Sequence, residues 1–275
     1  MIIYGLMILT SVLCVSNFVL AQGPTGKLPP RKLPPPMRNP PPRQNPDGPR
    51  PNLGPTYAVS VDKGALNRGV VAGEIRYGGP APKIFKIDTS ADPVCRQLSP
   101  RLEIEEPLVR GGKLANVFVY IKDGVTADGK KLKDLSFPLA NREVELEHRG
   151  CNLIPHVFGM MMGQIVTIRN ADPTTHNTHF RPNNNPDWNQ SQPVGSPPIT
   201  HRLDRMEIMV PIRDNQHPWQ KAYVGVLDHP FFAVTGEDGR FEIAGVPPGK
   251  YTLAAWREGP GNGTEITVKV TVTGP

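Results

Sequence analysis

The chain has 275 residues, with 31 Lys and Arg against 25 Asp and Glu, 33 Pro, 27 Gly and 3 Cys, for a formal charge of +6. Residues 22–55 hold Lys27, Arg31, Lys32, Arg38, Arg43 and Arg50 against Asp47, a charge of +5, so residues 56–275 keep only +1 and a nucleic-acid-binding body is excluded. A hydrophobic content of 38% is enough to bury a core, which excludes wholesale disorder.

At the N-terminus, residues 2–15 are mostly apolar, and Val19-Leu20-Ala21 offers a small-residue exit before Gln22. This pattern predicts a secretory signal peptide over residues 1–21, with an uncleaved anchor as the alternative, and so a secreted, periplasmic or cell-surface protein. Residues 22–55 then hold 13 prolines in 34 positions. Proline fixes φ and removes amide donors, which predicts a Pro-rich, basic, disordered linker of extended polyproline II character. Two readings of it stay open: a solvated spacer, or a cationic tether to an anionic cell wall or membrane surface.

Beyond residue 56 the periodicity is that of strands, with runs at Val70–Tyr77, Asn116–Ile121, Gln164–Arg169, Glu207–Pro211 and Ala222–Leu227. Phe231–Val234 and Phe241–Ile243 flank Asp238-Gly239, which predicts a hairpin. Ile266, Val268, Val270 and Val272 alternate with polar residues, which predicts a half-buried strand. No stretch reads as an amphipathic helix of three turns, so the body is expected to be all-β. With Cys14 inside the signal segment, Cys95 and Cys151 form an even pair in an oxidising compartment. A disulfide between them is expected; a free, metal-ligating Cys151 is the rival.

The histidines carry the chemistry. The segment Gly163–Asp172, with its Asn170-Ala171-Asp172 corner, precedes His176-Asn177-Thr178-His179, and Asp214-Asn215-Gln216-His217-Pro218-Trp219-Gln220 follows a later strand. This order resembles the cupredoxins, in which an early His meets a late Cys…His…Met loop around copper. The resemblance spans about residues 142–229 and implies a Greek-key sandwich over 141–229 with copper as cofactor. Placed on the family's His-Pro-Trp step, this chain has Asp214 at the cysteine position and Gln220 at the methionine position. A hard carboxylate does not replace the thiolate bond of a blue-copper site, so an electron carrier is disfavoured. Two readings remain. Either His176, His217 and Asp214, with Gln220 as a weak axial donor, bind Cu(II) or Zn(II) without redox work, or the site is dead and His217 and Trp219 only pack. His176 and His179 point to opposite faces of an extended strand, so they are not expected to share an ion.

The flanking sequence resembles a carboxypeptidase regulatory-like, transthyretin-type sandwich. Gly73–Tyr77 and Leu114–Tyr120 look like its early strands, Thr235–Phe241 and Gly245–Leu253 like its later ones. The order implies one sandwich split into 56–140 plus 230–275 around the cupredoxin-like insert, with consecutive modules as the alternative. That module is usually a non-catalytic accessory. The sequence has no G-x-S-x-G elbow, H-E-x-x-H helix or phosphate loop, which predicts a non-enzymatic protein. Glu103, Glu105 and Glu106 read as a solvated charged edge. Met160-Met161-Met162 is a soft cluster that suits Cu(I) only if its sulfurs converge. Trp188, Trp219 and Trp256 are the candidates for a sugar platform.

Overall fold

The unbroken apolar run Val117-Phe118-Val119-Tyr120-Ile121 is long enough for a strand covered on both faces, and it opens the strand Phe118–Thr126. Val119 and Ile121 enter one core with Val71, Phe241, Ile243, Tyr251 and Leu253. Phe118 and Tyr120 enter another with Val157, Met161, Tyr223, Leu227 and Trp256. The computed structural model describes residues 69–79, 81–139, 143–259 and 263–273. The signal peptide expected over 1–21 and the linker expected over 22–55 lie outside the described residues.

Around this strand the described residues build four main β layers, beside two small two-stranded ribbons that pair Lys83–Lys86 with Glu103–Glu106 and Val109–Arg110 with Lys113–Leu114. The first pairs Gly69–Glu74 with Arg240–Val246. The second runs in the order Phe232–Val234, Phe118–Thr126, Gly249–Arg257, Thr264–Val272, all antiparallel. Strands from before residue 127 and after residue 231 thus share both layers. The third layer orders Trp188–Gln192, His176–Phe180, Glu207–Arg213, Lys221–Leu227 and Val157–Met161, with the last pair parallel. The fourth orders Ile199–Arg202, Ile165–Asn170, Val144–His148 and Leu153–Ile154, with the middle pair parallel. Parallel neighbours cannot be joined by tight hairpins, so the chain crosses between these two sheets and closes a β-sandwich. Leu146, Phe158, Met160, Ile168, Phe180, Val210, Ile212 and Val224 fill it.

The third layer is covered on both faces, and two glycines set how closely the second approaches it. Gly159 and Gly225 are register partners on adjacent strands. A Cβ on Gly225 would lie 2.3 Å from the Phe118 ring, and one on Gly159 would lie 2.4 Å from Phe232. The aromatic rings occupy the space that any side chain would need.

The described residues are all-β apart from the six-residue helix Pro93–Leu98 and a 3-10 turn at Leu132–Asp134. Several local expectations are corrected. Asp238-Gly239 does form a turn, with Gly239 at φ +68°, but its flanks do not pair as a hairpin. Phe232–Val234 joins the second layer and Arg240–Val246 the first, so the turn carries the chain between sheets. Thr264–Val272 is a strand, yet Ile266 and Val268 are 64% and 56% exposed, because it is an edge strand reaching past the small first layer. Met160 enters the sandwich core, Met161 the interlayer core, and Met162 solvent, so the three sulfurs do not converge. Glu105 and Glu106 are not free edge charges: Glu105 pairs with Arg110, and Glu106 with Lys221.

At the margin of the interlayer core, Glu258 accepts from His156 Nε2 at 2.7 Å, Lys221 Nζ at 2.6 Å and the Tyr223 hydroxyl at 2.7 Å. Burial raises the Glu258 pKa, but the His156 and Lys221 hydrogen bonds outweigh it and hold the carboxyl at about 2. Because the folded value lies below the unfolded one, this stabilisation is complete above pH 4.5 and is lost as pH falls towards 2. Glu258→Gln should therefore lower stability at pH 7 and flatten the acid-unfolding curve below pH 4.5; an unchanged curve would contradict the network. Gly225→Ala should cost about 1–3 kcal/mol in denaturant unfolding, the usual range for overpacking.

Candidate metal centre

Five strand ends meet at one pole of the inner sandwich. His148 ends Val144–His148, Asn170 ends Ile165–Asn170, His176 begins His176–Phe180, Asp214 follows Glu207–Arg213, and Gln220 precedes Lys221–Leu227. Asn170 shapes the corner: its Nδ2 donates to the Thr174 and Gln192 carbonyls, and its Oδ1 accepts from the Asp172 amide. The Asp214 loop is folded by its own carboxylate, whose Oδ1 accepts from the amides of Gln216 and His217 at 2.8 and 3.1 Å.

The four residues expected at the site from sequence come together. His176 Nδ1 lies 2.8 Å from Asp214 Oδ2, and His217 Nδ1 lies 2.9 Å from the same oxygen. The two Nδ1 atoms are 3.1 Å apart, and the Gln220 amide nitrogen is 3.2 Å from His176 Nδ1. Gln220 Oε1 turns the other way, to His148 Nδ1 at 2.9 Å. In this orientation Gln220 presents its nitrogen and is not a ligand; it becomes one only with its amide turned over. His179 is apart from the cluster, held by Asp187 and Asn215, while His176 and Thr178 share the inward face.

Three further residues join the cluster: His148 and Asp92, which the sequence does not single out, and Asp172, which it marks only as the end of the Asn-Ala-Asp corner. His148 is fully buried, stacks on His176 with ring centroids 4.7 Å apart, and contacts Thr178 through Nε2 at 2.8 Å. Asp172 contacts His176 Nε2 at 3.1 Å, and Asp92 contacts His217 Nε2 at 3.0 Å. Asp92 also caps the helix Pro93–Leu98, accepting from Val94 and Cys95 amides, and takes the Thr174 hydroxyl. It lies more than a hundred residues from His217 in the chain, so no spacing could have revealed it; the Asp92-Pro93 capping step was the available signal. The expected Cys95–Cys151 disulfide is formed and ties this helix over the pole. Trp219 closes one side, with its indole N–H donating to the Cys151 carbonyl and its ring edge-on to His217.

The protonation pattern follows from these contacts. Asp92, Asp172 and Asp214 are buried to different degrees, which by itself raises their pKa values, but each accepts several hydrogen bonds that more than compensate. Asp92 and Asp214 are held at about 2, and Asp172 below its usual range. An ionised carboxylate only accepts, so His176 Nε2 and His217 Nε2 must both carry protons. In neutral rings both Nδ1 atoms would then be lone-pair acceptors. They face each other and a third acceptor, Asp214 Oδ2. Three acceptors at about hydrogen-bond distance repel unless a cation lies among them, either a proton or a metal ion. Without a metal, His176 takes the proton: burial opposes its charge, but Asp172 and Asp214 override this and raise its pKa to about 9. His148, whose charged form is penalised first by burial, is lowered to about 4 and stays neutral.

The donor set fits a small divalent ion. Bonds of about 2.0–2.1 Å in a tetrahedral site place donors about 3.3 Å apart, close to the spacings of these three atoms. Carboxylates on the remote nitrogens are the usual means of orienting metal-binding imidazoles. A group of ring nitrogens and a carboxylate oxygen from His148, His176 and Asp214 also lies within 4.8 Å.

Residues 206–274 match the family model for polysaccharide lyase family 4, domain II; this stretch contributes strands to the first, second and third layers, and the family is not the carboxypeptidase regulatory-like one that the flanks resemble. No curated protein matches the sequence. Among solved structures, the chain is similar to a purple cupredoxin from Nitrosopumilus maritimus, at 18% identity over 30% of this chain and 98% of that one, with a TM-score of 0.27. It is similar to an oxidised mutant of amicyanin at 12% identity over 39% of this chain and 97% of that one, TM-score 0.28. It is similar also to a copper-containing nitrite reductase from Thermus scotoductus, at 17% identity, 38% coverage and TM-score 0.27, but spans only 25% of that protein's length.

In the metal-free protein, the His176 ring should titrate near pH 9 and His148 near 4 by imidazole NMR. Asp214→Asn should bring His176 down by at least one unit; a His176 value near 6.5 in the unaltered protein would contradict the acceptor cluster.

Proposed function

We propose that the chain is an exported, non-enzymatic β-protein whose inner, cupredoxin-like sandwich binds one Cu(II) or Zn(II) ion. His176 Nδ1, His217 Nδ1 and Asp214 Oδ2 would hold the ion, and Gln220 would add a weak fourth donor if its amide reverses. The observation that carries this reading is the convergence of three acceptor atoms, two of them imidazole nitrogens whose ring N–H groups are committed to Asp172 and Asp92, with the Gln220 amide N–H meeting just one of the three, His176 Nδ1, at 3.2 Å. Bound there, a divalent ion supplies the positive charge that otherwise comes from a proton. The chain's own residues do the rest: Asp172 and Asp92 fix the two rings, His148 and Gln220 cover the inner side, and the Asp92-capped helix excludes water. The set lacks thiolate, so it favours a hard or borderline divalent ion over the soft ligation of a blue electron-transfer centre. Residues 1–21 support export, and the basic Pro-rich stretch 22–55 supports attachment to an anionic wall or membrane surface. The carbohydrate-platform alternative is weaker, because Trp256 is buried, Trp219 is engaged at the pole, and Trp188 stacks under His201.

A Cu(II) titration of the whole chain followed by electron paramagnetic resonance tests the reading. One equivalent of nitrogen-ligated Cu(II), lost in both His176→Ala and His217→Ala, is expected. No stoichiometric signal, or binding indifferent to both histidines, would overturn it. Because one bound proton has to leave His176, apparent affinity should rise about tenfold per pH unit between 7 and 9.

A further inference from the structure

The disulfide that fastens the helix Pro93–Leu98 over the pole also places two sulfurs beside the histidines. Cys95 Sγ, Cys151 Sγ and a His176 ring nitrogen lie within 4.8 Å of one another. So do Cys95 Sγ, a ring nitrogen of His217 and a carboxylate oxygen of Asp92. The thiolate missing from position 214 is therefore supplied in space by residues far away in sequence, but locked in oxidised form.

We propose that reduction of the Cys95–Cys151 disulfide converts this pole into a sulfur–nitrogen site for a soft or borderline ion such as Zn(II), with both cysteines and His176 as ligands and His217 or Asp92 completing the set. The ligand chemistry matches the mixed thiolate–imidazole sites that tetrahedral zinc prefers. Bonds of about 2.3 Å to sulfur in such a site separate the two sulfurs by about 3.8 Å, which needs only small side-chain rotations once the S–S bond is broken. The reaction balances with a dithiol as reductant: its two thiols give two electrons and two protons to the disulfide and close into a disulfide of their own. Zn(II) then displaces the two thiol protons and the extra proton on His176 as it binds, and all three go to solvent.

Both sulfurs are buried, so the reductant needs a local opening. The covering helix is suited to one. It is six residues long, Arg96, Gln97 and Leu98 are exposed, and besides the disulfide it is held by the Asp92 contacts and by Ser99 Oγ donating to the Gly150 carbonyl at 2.8 Å. Short, exposed segments with few buried contacts open at low free energy. This site does not depend on the nitrogen–oxygen site of the oxidised protein, since its readout is sulfur ligation.

The whole chain would be reduced with a phosphine, desalted without oxygen, and titrated with Co(II) as a spectroscopic substitute for Zn(II). The expected result is a thiolate-to-cobalt charge-transfer band that saturates at one equivalent, is bleached by one equivalent of Zn(II), and is absent from the oxidised protein and from Cys95→Ser/Cys151→Ser. Two titratable thiols in a protein with unchanged far-ultraviolet circular dichroism and no such band would overturn the proposal. Unfolding on reduction would overturn it equally. Neither outcome affects the Cu(II) test on the oxidised chain.

Discussion

Two imidazoles whose Nε2 atoms are both claimed by carboxylates cannot donate from Nδ1 without taking up charge, and here both Nδ1 atoms are turned onto a third carboxylate. Everything at the pole serves that arrangement. Asp172 is kept ionised by the His176 ring and the amides of Cys151 and Gly150, Asp92 by the His217 ring and the first turn of a helix, and Asp214 by both rings and its own loop. Backbone amides are fixed donors, so all three charges stay in place whether a proton or a metal ion lies among the rings. The cost of burying three acids and two histidines together is offset only if the centre keeps its cation.

The fold makes the cluster possible by bringing strand ends together from both halves of the sandwich. Its rigidity comes from layers: the central sheet carrying His176, Asp214 and Gln220 has an apolar core on each face, and Gly159 and Gly225 let the neighbouring sheet seat Phe118 directly on it. Asp92 and Cys95 come from the chain segment ahead of the inner sandwich, and the disulfide anchors that segment at Cys151, next to the amides that hold Asp172. The cap and the site are thus one mechanical unit.

The sequence makes the β class and most strand positions plain, because period-two alternation and continuous apolar runs respond directly to burial on one or two faces. It does not say which strands pair. The runs on either side of Asp238-Gly239 look like a hairpin, yet the turn leads from one sheet to another, a choice decided by partners at Gly69–Glu74 and Phe118–Thr126 far away in the chain. Burial of Ile266 and Val268 was likewise set by the width of the opposite layer, which alternation cannot report. At the site, His176, Asp214, His217 and Gln220 were visible because they belong to two short ordered segments. His148 and Asp92 were not, and Asp172 showed only as the end of a corner, since their roles depend on which ring nitrogen they meet in space.

The most direct test of the account is the position of a bound ion. Crystals of the oxidised protein loaded with Zn(II) or Cu(II), measured on either side of the metal's absorption edge, should show one anomalous peak bounded by His176 Nδ1, His217 Nδ1 and Asp214 Oδ2, with Asp172 and Asp92 still on the two Nε2 atoms. A loaded crystal with no peak at this pole, or with the ion held by other residues, would contradict the claim that these three acceptors are built around a cation.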